Sequence, residues 1–354
     1  MYNRKIKEMP NSLISNGKAT FGTFMGHPKK LDIKDILFPF GVLPLPRFIT
    51  NLRIRSSIFF DFSTDAFIGK IELFDTKIIG YYKLIVWEKK THKKYSYHHL
   101  MFLNRRLIPT NLEKASCTVF SKKRYARFTW DRTKDIFSLV FKCKGDSHRP
   151  SISASLQASF SNPQFLETTN VSPAPTTRRC SALFQMVNSF NATFSIRQKE
   201  YHEHIITQNG LFSFGLKRAY YNIRYYEENI SFQLQNEDGA VFLNLFSSSI
   251  DSHNDELHNN NILIENADLS PLPPVKITRP QGFFNEWIIQ DTESMVDLSF
   301  KPIVNDLRRL SIFLLHARFH TLFGTLNGSV RTKDNKEIQL KNIHAIASKQ
   351  RLRL

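Results

Sequence analysis

Cysteine is scarce. Cys117, Cys143 and Cys180 are scattered over 354 residues and form no C-x-x-C pair. This argues against a disulfide framework and a thiolate zinc site, and fits a reducing, cytoplasmic setting. No stretch of about eighteen apolar residues occurs, so no transmembrane helix is expected. The segment from Met1 to Pro10 is basic but lacks the apolar centre of a signal peptide. There is no P-loop, no G-x-G-x-x-G and no G-x-S-x-G elbow. Nucleotide-dependent and triad-type enzymes are therefore poorly supported, and no cofactor is expected. Alternating strand and helix patterns are also missing, which argues against a parallel sheet covered by helices.

What is abundant is phenylalanine, with 31 residues in a chain that is 41% hydrophobic. Phenylalanine and β-branched residues with frequent turns favour strands. The charge is lopsided. Residues 1–150 hold 29 Lys+Arg against 12 Asp+Glu, a balance of +17, which leaves +1 for the remainder of a chain whose net charge is +18. Such a half could attract an anionic membrane surface, although a soluble lysine-rich face is the plainer reading. Nucleic acid, the other anionic partner such a half could attract, is the less expected of the two.

The pattern predicts an all-β chain of two antiparallel barrels or sandwiches with little helix. Strands are expected over Arg53–Phe60, Ala66–Phe74 and Ile78–Trp87, then near Ala115–Val119, Arg124–Trp130, Ile136–Lys142 and Ser151–Phe160. Their spacing suits a meander or barrel. Ser172-Pro173-Ala174-Pro175 has linker chemistry. The expected division is a basic barrel over 1–165, a linker over 166–180 and a second barrel over 181–354. Further strands are expected over Ala182–Val187, Ala192–Arg197, Leu211–Leu216, Asn222–Tyr226, Ile230–Gln235 and Ala240–Phe246. Hairpin turns are expected at Asn16-Gly17, Asn209-Gly210, Asp238-Gly239, Asn327-Gly328 and Asp334-Asn335. Val296 to Lys301 alternates apolar and polar residues, Pro302 should end that strand, and Leu307, Leu310 and Leu314 sit at the spacing of a short helix.

Several constellations could carry chemistry. His316-x-Arg318-x-His320 would project from one face of a strand and could hold an anion or a carbonyl oxygen. His202-x-His204 could contribute to a metal site, but a solvated face is commoner and no metal is expected. Arg218, Tyr220, Tyr221, Arg224, Tyr225 and Tyr226 interleave cations with rings, as a barrel strand with rings inward also would.

The order of pieces resembles the bacterial family called domain of unknown function 2804. Gly239-Ala240-Val241-Phe242-Leu243-Asn244-Leu245 resembles that family's glycine, apolar, Asn-Leu strand. Ile264-Glu265-Asn266-Ala267 resembles its Thr-Glu-Asn-Ala element, and Glu286-Trp287-Ile288-Ile289 with Val296 to Pro302 its tryptophan strand and the next one. His320 to Val330 resembles its His-Gln-x-Phe-Gly-x-Phe-x-Gly-x-Val ending, and Ser12 to Gly17 its opening. An Asp-Trp-Gly-Arg-Gly-x-Trp-x-Tyr element is best matched by Ser213 to Tyr221, where the Asp and both Trp are gone. The family's C-terminal Arg-Trp is replaced by Arg351-Leu352-Arg353-Leu354. If the family residues line a site, these departures imply lost or altered activity.

The resemblance implies two packed antiparallel barrels, similar to the hydroxyneurosporene synthase and lipocalin-like groups, each able to enclose a small apolar ligand. The first expectation is thus a binder of a small hydrophobic molecule, lipid- or isoprenoid-like. The second is a cofactor-independent hydratase or isomerase with His320 or Glu265 as acid or base. Asn244, Asn266, Trp287, Arg218, Tyr220 and Arg318 are the expected ligand contacts. The third is a binder of an anionic membrane surface or of nucleic acid using the basic first half.

Overall fold

A computed structural model describes residues 4–41, 45–77, 79–102, 108–173, 178–199, 202–221, 224–236, 239–249, 260–312 and 315–353. Nearly all of it is β-structure. Among the described residues the only helices are Arg47–Leu52 and one 3-10 turn, Arg132–Lys134.

Short strands β1 (Ile6–Glu8), β2 (Ile14–Ser15), β3 (Lys18–Ala19) and β4 (Gly22–Met25) lead in. The first sheet then runs through β5 (Ile54–Thr64), β6 (Phe67–Asp75), β7 (Ile79–Glu88), β8 (Lys94–Phe102), β9 (Lys114–Phe120), β10 (Arg124–Asp131), β11 (Ile136–Cys143) and β12 (Ser151–Ala158). It closes with β13 (Leu166–Pro173), β14 (Cys180–Lys199) and β15 (His202–Tyr220). The second sheet contains β16 (Arg224–Asn236), β17 (Gly239–Ser248), β18 (Ile262–Glu265), β19 (Asp268–Pro271), β20 (Lys276–Thr278), β21 (Trp287–Gln290), β22 (Val296–Ile312), β23 (Leu315–Arg331) and β24 (Glu337–Arg353).

Both sheets follow one plan. The spatial order β8-β7-β6-β5-β15-β14-β12-β11-β10-β9 brings the meander's first strand, β5, against its last, β15. In the order β19-β18-β17-β16-β24-β23-β22-β21-β20, β16 meets β24 in the same way. Along these orders each sheet is curled antiparallel strand on strand, open between β8 and β9 or between β19 and β20, while β1, β4 and β13 lie off the first path and β1 pairs β4 in parallel. Both openings fall in mid-meander, where consecutive strands do not pair.

The expected division of the chain needs correcting. Leu166–Pro173 is not linker but a strand, paired with β14 from Leu166↔Val187 to Pro173↔Cys180. The chain changes sheets between Tyr220 and Arg224, because β14 and β15 supply the first sheet's closing pair. Proline at Pro173 is tolerated because it is the terminal residue of its strand. Residues 174–177 of the presumed linker lie outside the described residues.

Long strands also absorb several expected breaks. Ala182–Val187 and Ala192–Arg197 are parts of one twenty-residue strand, and Asn209-Gly210 lies inside β15 rather than in a turn. The helix expected near Leu307 is strand β22, and Pro302 does not end it: a register shift between Pro302 and Val304 lets the strand continue as a bulge. Asn327-Gly328 is likewise a bulge, with Gly328 at φ 119°. The turns at Asn16-Gly17 and near Asn335, all three residues at positive φ, stand as expected. Asp238 is outside the described residues.

The expected room inside the barrels is largely taken by side chains. In the first, Phe60 stacks on Phe212 and Phe137 with ring centroids 5.0 and 6.1 Å apart. Residual space beside Trp130, Phe137 and Phe214 is about 190 Å³. In the second, Trp287, Phe300, Leu322 and Leu326 are fully buried in one apolar cluster.

Candidate functional site

Period-two geometry gives every strand two faces. Along β7, Tyr82, Leu84 and Val86 fill the first barrel, while Tyr81, Lys83, Ile85 and Trp87 point the other way and are also buried. They are covered by the outer face of the second sheet. Trp87 stacks on Phe323 and Tyr81 on Phe319, each with centroids 5.7 Å apart. Elsewhere Leu166 and Val187 pack on Phe242, Ile262 and Ile264. The sheets are thus sealed back to back by apolar patches.

Between these patches lies a layer of buried charge. Lys70 sits 3.2 Å from Asp61 and 3.6 Å from Glu72, and Asp61 accepts a 3.0 Å hydrogen bond from Ser231 of the second sheet. Lys83 lies 3.7 Å from Asp306 and 3.8 Å from Glu72, and donates to Thr321 Oγ1 at 2.5 Å. Burial works against the charge on Lys70, but Asp61 and then Glu72 outweigh it and its pKa is raised. At Lys83 burial wins over Glu72 and Asp306, and the pKa is lowered.

This layer opens into a cleft with about 710 Å³ of unfilled space, counted with its mouth. Phe59, Phe74, Tyr81 and Phe319 give it aromatic walls. Gly215 makes room for one of them: a Cβ there would lie 1.8 Å from Phe59 Cζ, directly across the β5–β15 pair. The polar end is formed by Lys217, Glu227, Asn229, Asn244 and Gln350. Lys217 Nζ is 3.0 Å from both Glu227 Oε2 and the Tyr225 hydroxyl, and that hydroxyl also bonds Glu227. Gln350 donates to the second Glu227 oxygen at 3.1 Å. Asn229 donates to Asn244 Oδ1 at 2.6 Å, and Asn244 in turn donates to the Asn260 carbonyl at 3.1 Å. Burial pushes the Tyr221 hydroxyl up to about 12, so it stays protonated and able to donate at neutral pH.

A cation, a phenol and a carboxylate in mutual contact beside an apolar wall can do two things. They can hold a ligand's oxygen by charge-assisted hydrogen bonds. They can also accept and return a proton where water is mostly excluded.

Of the residues singled out from sequence, Asn244 and Tyr221 line this cleft and Tyr225 joins the cluster at its polar end. His320 lies on the opposite face of the second sheet, its ring 4.5 Å from Phe283 and its Nδ1 3.4 Å from Asn305 Oδ1. Trp287 is core and donates to the Phe283 carbonyl at 2.8 Å. Glu265 pairs at 2.5 Å with exposed Lys336, and Asn266 forms the turn after it at φ 50°. Arg218 and Tyr220 turn into the first barrel, where they bond the carbonyls of Ile108 and Ile33. Arg318 is exposed on a separate groove. The expected grouping around His320 and Glu265 therefore does not form: His320 on β23 and Trp287 on β21 both pack against Phe283, whereas Glu265 on β18 is held apart by Lys336. His204 is exposed, and the side chain of His202 lies outside the described residues.

His320 makes a direct test of its surroundings. Burial, then the positive charges of Arg318, Lys349 and Arg309, depress its pKa to about 4 from an ordinary 6.5. The unfolded chain therefore takes up a proton that the folded one refuses between those values, and stability falls as pH drops through that window. An NMR titration should place the His320 midpoint near 4; a midpoint at or above 6.5 would contradict the burial described here.

The residues that sequence reasoning missed are Lys70, Glu72, Lys217 and Glu227, while Tyr225 was read only as part of a basic-aromatic run. A signal was present. Lys70 and Glu72 interrupt the apolar run Phe67-Ile68-Gly69-Lys70-Ile71-Glu72-Leu73-Phe74, where a charge has no place unless that face is polar or functional. The segment Ser213 to Tyr221, where family motif residues are replaced, runs along β15 and sends Ser213 and Lys217 into this same inter-sheet layer.

A family model described as Domain of unknown function (DUF2804) matches residues 3–354. The chain belongs to that family. Among solved structures, this DUF2804 protein is similar to CghA, with a TM-score of 0.51 at 10% identity over 98% of this chain and 97% of that one. The match shows a shared fold. Kievitone hydratase from Nectria haematococca aligns with a TM-score of 0.40 at 8% identity, over 84% of this chain and 88% of that one. No curated protein sequence matches the chain significantly.

Proposed function

We propose that this DUF2804 protein binds a small, largely apolar molecule bearing a hydroxyl or carbonyl oxygen in the cleft between its two sheets. Lys217, Tyr225 and Glu227 hold that oxygen. The observation that carries the reading is the contact of these three buried groups at the end of an aromatic-walled space. Sites of this kind, apolar with a few convergent polar groups, are typical of small-ligand recognition.

The same arrangement suits proton transfer without a cofactor. Glu227 would take a proton from the ligand, Tyr225 would return one, and Lys217 would stabilise the charge that develops on oxygen. Isomerisation needs no more than this, Glu227 handing its proton back to Tyr225 through their hydrogen bond. In a hydration Glu227 would instead take the proton from a water whose oxygen bonds to one carbon of the double bond while Tyr225 protonates the other.

The test is uptake of an apolar fluorescent dye by delipidated protein. Ser57 lines the cleft directly across the β5–β15 pair from Lys217 but is not one of the three groups in mutual contact. Ser57→Trp should fill the space and lower dye affinity at least about tenfold while leaving the circular dichroism of the fold unchanged. Dye binding that ignores this substitution would remove the cleft as the site. Glu227→Gln should keep uptake and abolish turnover of any substrate found.

A further inference from the structure

The inner face of the second sheet continues beyond its apolar core as a platform of arginine. The register sets its rows. Tyr226 lies opposite Arg351, Arg351 opposite Arg318, and Arg318 opposite Arg309, across β16, β24, β23 and β22. One step further out, Arg224 faces Arg353, and Arg353 faces His316. One step inward, Lys349 lies opposite both His320 and Glu228. Directly opposed residues of antiparallel strands share a face, so these cations form one surface. Arg224, Arg309, Arg318, Arg351 and Arg353 are all exposed.

Like charges placed directly opposite one another destabilise a sheet, and a solvated face usually mixes the two signs. Here the neighbouring acid is Glu228, and it is already taken, 2.8 Å from Arg279 and 2.6 Å from Lys349. Among the described residues no carboxylate stands within ion-pair distance of the five arginines. The platform borders a groove whose lining includes Tyr226 and His316. The depressed pKa of His320, held down in part by Arg318, Lys349 and Arg309, reports the same positive field from a buried neighbour.

We propose that this arginine platform is a binding site for a phosphorylated small molecule carrying at least two phosphate groups. Adjacent strands stand about 4.8 Å apart, so Arg351, Arg318 and Arg309 span roughly 10 Å. That distance lets one phosphate bridge two guanidinium groups while a second engages the third. Planar, permanently charged guanidinium groups suit such oxygens better than lysine does. The ring of Tyr226, 5.9 Å from the Arg351 guanidinium, offers the ligand's remaining part an apolar surface. The platform and the inter-sheet cleft use opposite faces of the sheet, Tyr226 and Glu228 pointing to one and Glu227 and Asn229 to the other, and only Tyr225 among the described residues borders both.

Calorimetry on the full chain with inorganic pyrophosphate tests it. The wild type should bind, with affinity that weakens as salt is added. Arg318→Ser with Arg351→Ser should lose at least tenfold in affinity, whereas Lys122→Ser with Lys123→Ser, removing two exposed cations elsewhere, should change nothing. The arginine variant should also unfold at the same or a higher temperature, since it relieves like-charge contacts. Equal loss in both variants would mean net charge alone is sensed and would overturn the proposal. So would a lowered unfolding temperature, which would make the arginines structural. Binding of single-stranded oligonucleotide without binding of pyrophosphate would likewise overturn it in favour of a nucleic-acid surface.

Discussion

Phe60→Ala is expected to destabilise the protein by about 3–5 kcal/mol. Phe60 is fully buried on β5, at the centre of the first barrel. Its ring meets Phe212 at 5.0 Å and Phe62, Phe128 and Phe137 each at 6.1 Å. Truncation removes the transfer free energy of the ring and leaves a cavity that cannot collapse, because the surrounding rings sit on strands hydrogen-bonded on both sides. Those rings also lose favourable offset contacts with Phe60, on the order of 0.5–1.5 kcal/mol for each well-placed pair. Calorimetric or denaturant unfolding measures the loss. A cost below about 1 kcal/mol would show that the barrel interior is loosely filled and could admit a guest, contrary to the packing described here.

Asp306→Ala should cost about 3 kcal/mol or more, by a different route. Asp306 belongs to β22 of the second sheet, and its carboxylate stands 3.7 Å from Lys83 and 3.1 Å from Lys94 of the first. Lys83 is 1% exposed. Without Asp306 it keeps only Glu72, at 3.8 Å, as a charged partner. Burial then leaves Lys83 with an undercompensated ammonium or forces it to lose its proton. Replacing both partners, as Lys83→Met with Asp306→Leu, should recover most of the loss, because the penalty comes from the orphaned charge and not from a missing attraction. A double variant no more stable than Asp306→Ala would refute this account. The pH dependence has a definite sign. Burial alone would raise the Asp306 pKa, but Lys83, Lys94 and Arg308 outweigh it and the value is lowered. A carboxylate with a depressed folded pKa contributes stability that is present above its unfolded pKa, roughly 3.9, and is lost as pH falls through the folded value. Acid should therefore loosen the contact between the sheets, and Asp306→Ala should flatten that part of the stability profile.

Much of the architecture was legible beforehand. Strands β5 to β7 and β9 to β12 were set by period-two runs rich in Phe, Ile and Val, and turns such as Asn16-Gly17 by residues that accept positive φ. Errors clustered where strands outrun their average length. Pro302 and Asn327-Gly328 look like strand ends because both locally disrupt a ladder, yet a bulge at each keeps β22 and β23 going for seventeen residues. The presumed linker failed for a related reason. Ser172 and Pro173 have loop chemistry, but one proline at the end of a strand costs no ladder bond.

The sequence by itself determined the β-rich class, the turns and the alternation that assigns each side chain to one of two faces. Only the tertiary structure decided which of those faces would meet. Lys70 and Glu72 lie in sequence far from Glu227 and Asp306; they share a buried layer only because the two curled sheets pack by their outer sides. Nothing local encodes that meeting. Alternation is a property of one strand, whereas the pairing of two sheets depends on how apolar patches such as Trp87 on Phe323 fit once both have curled.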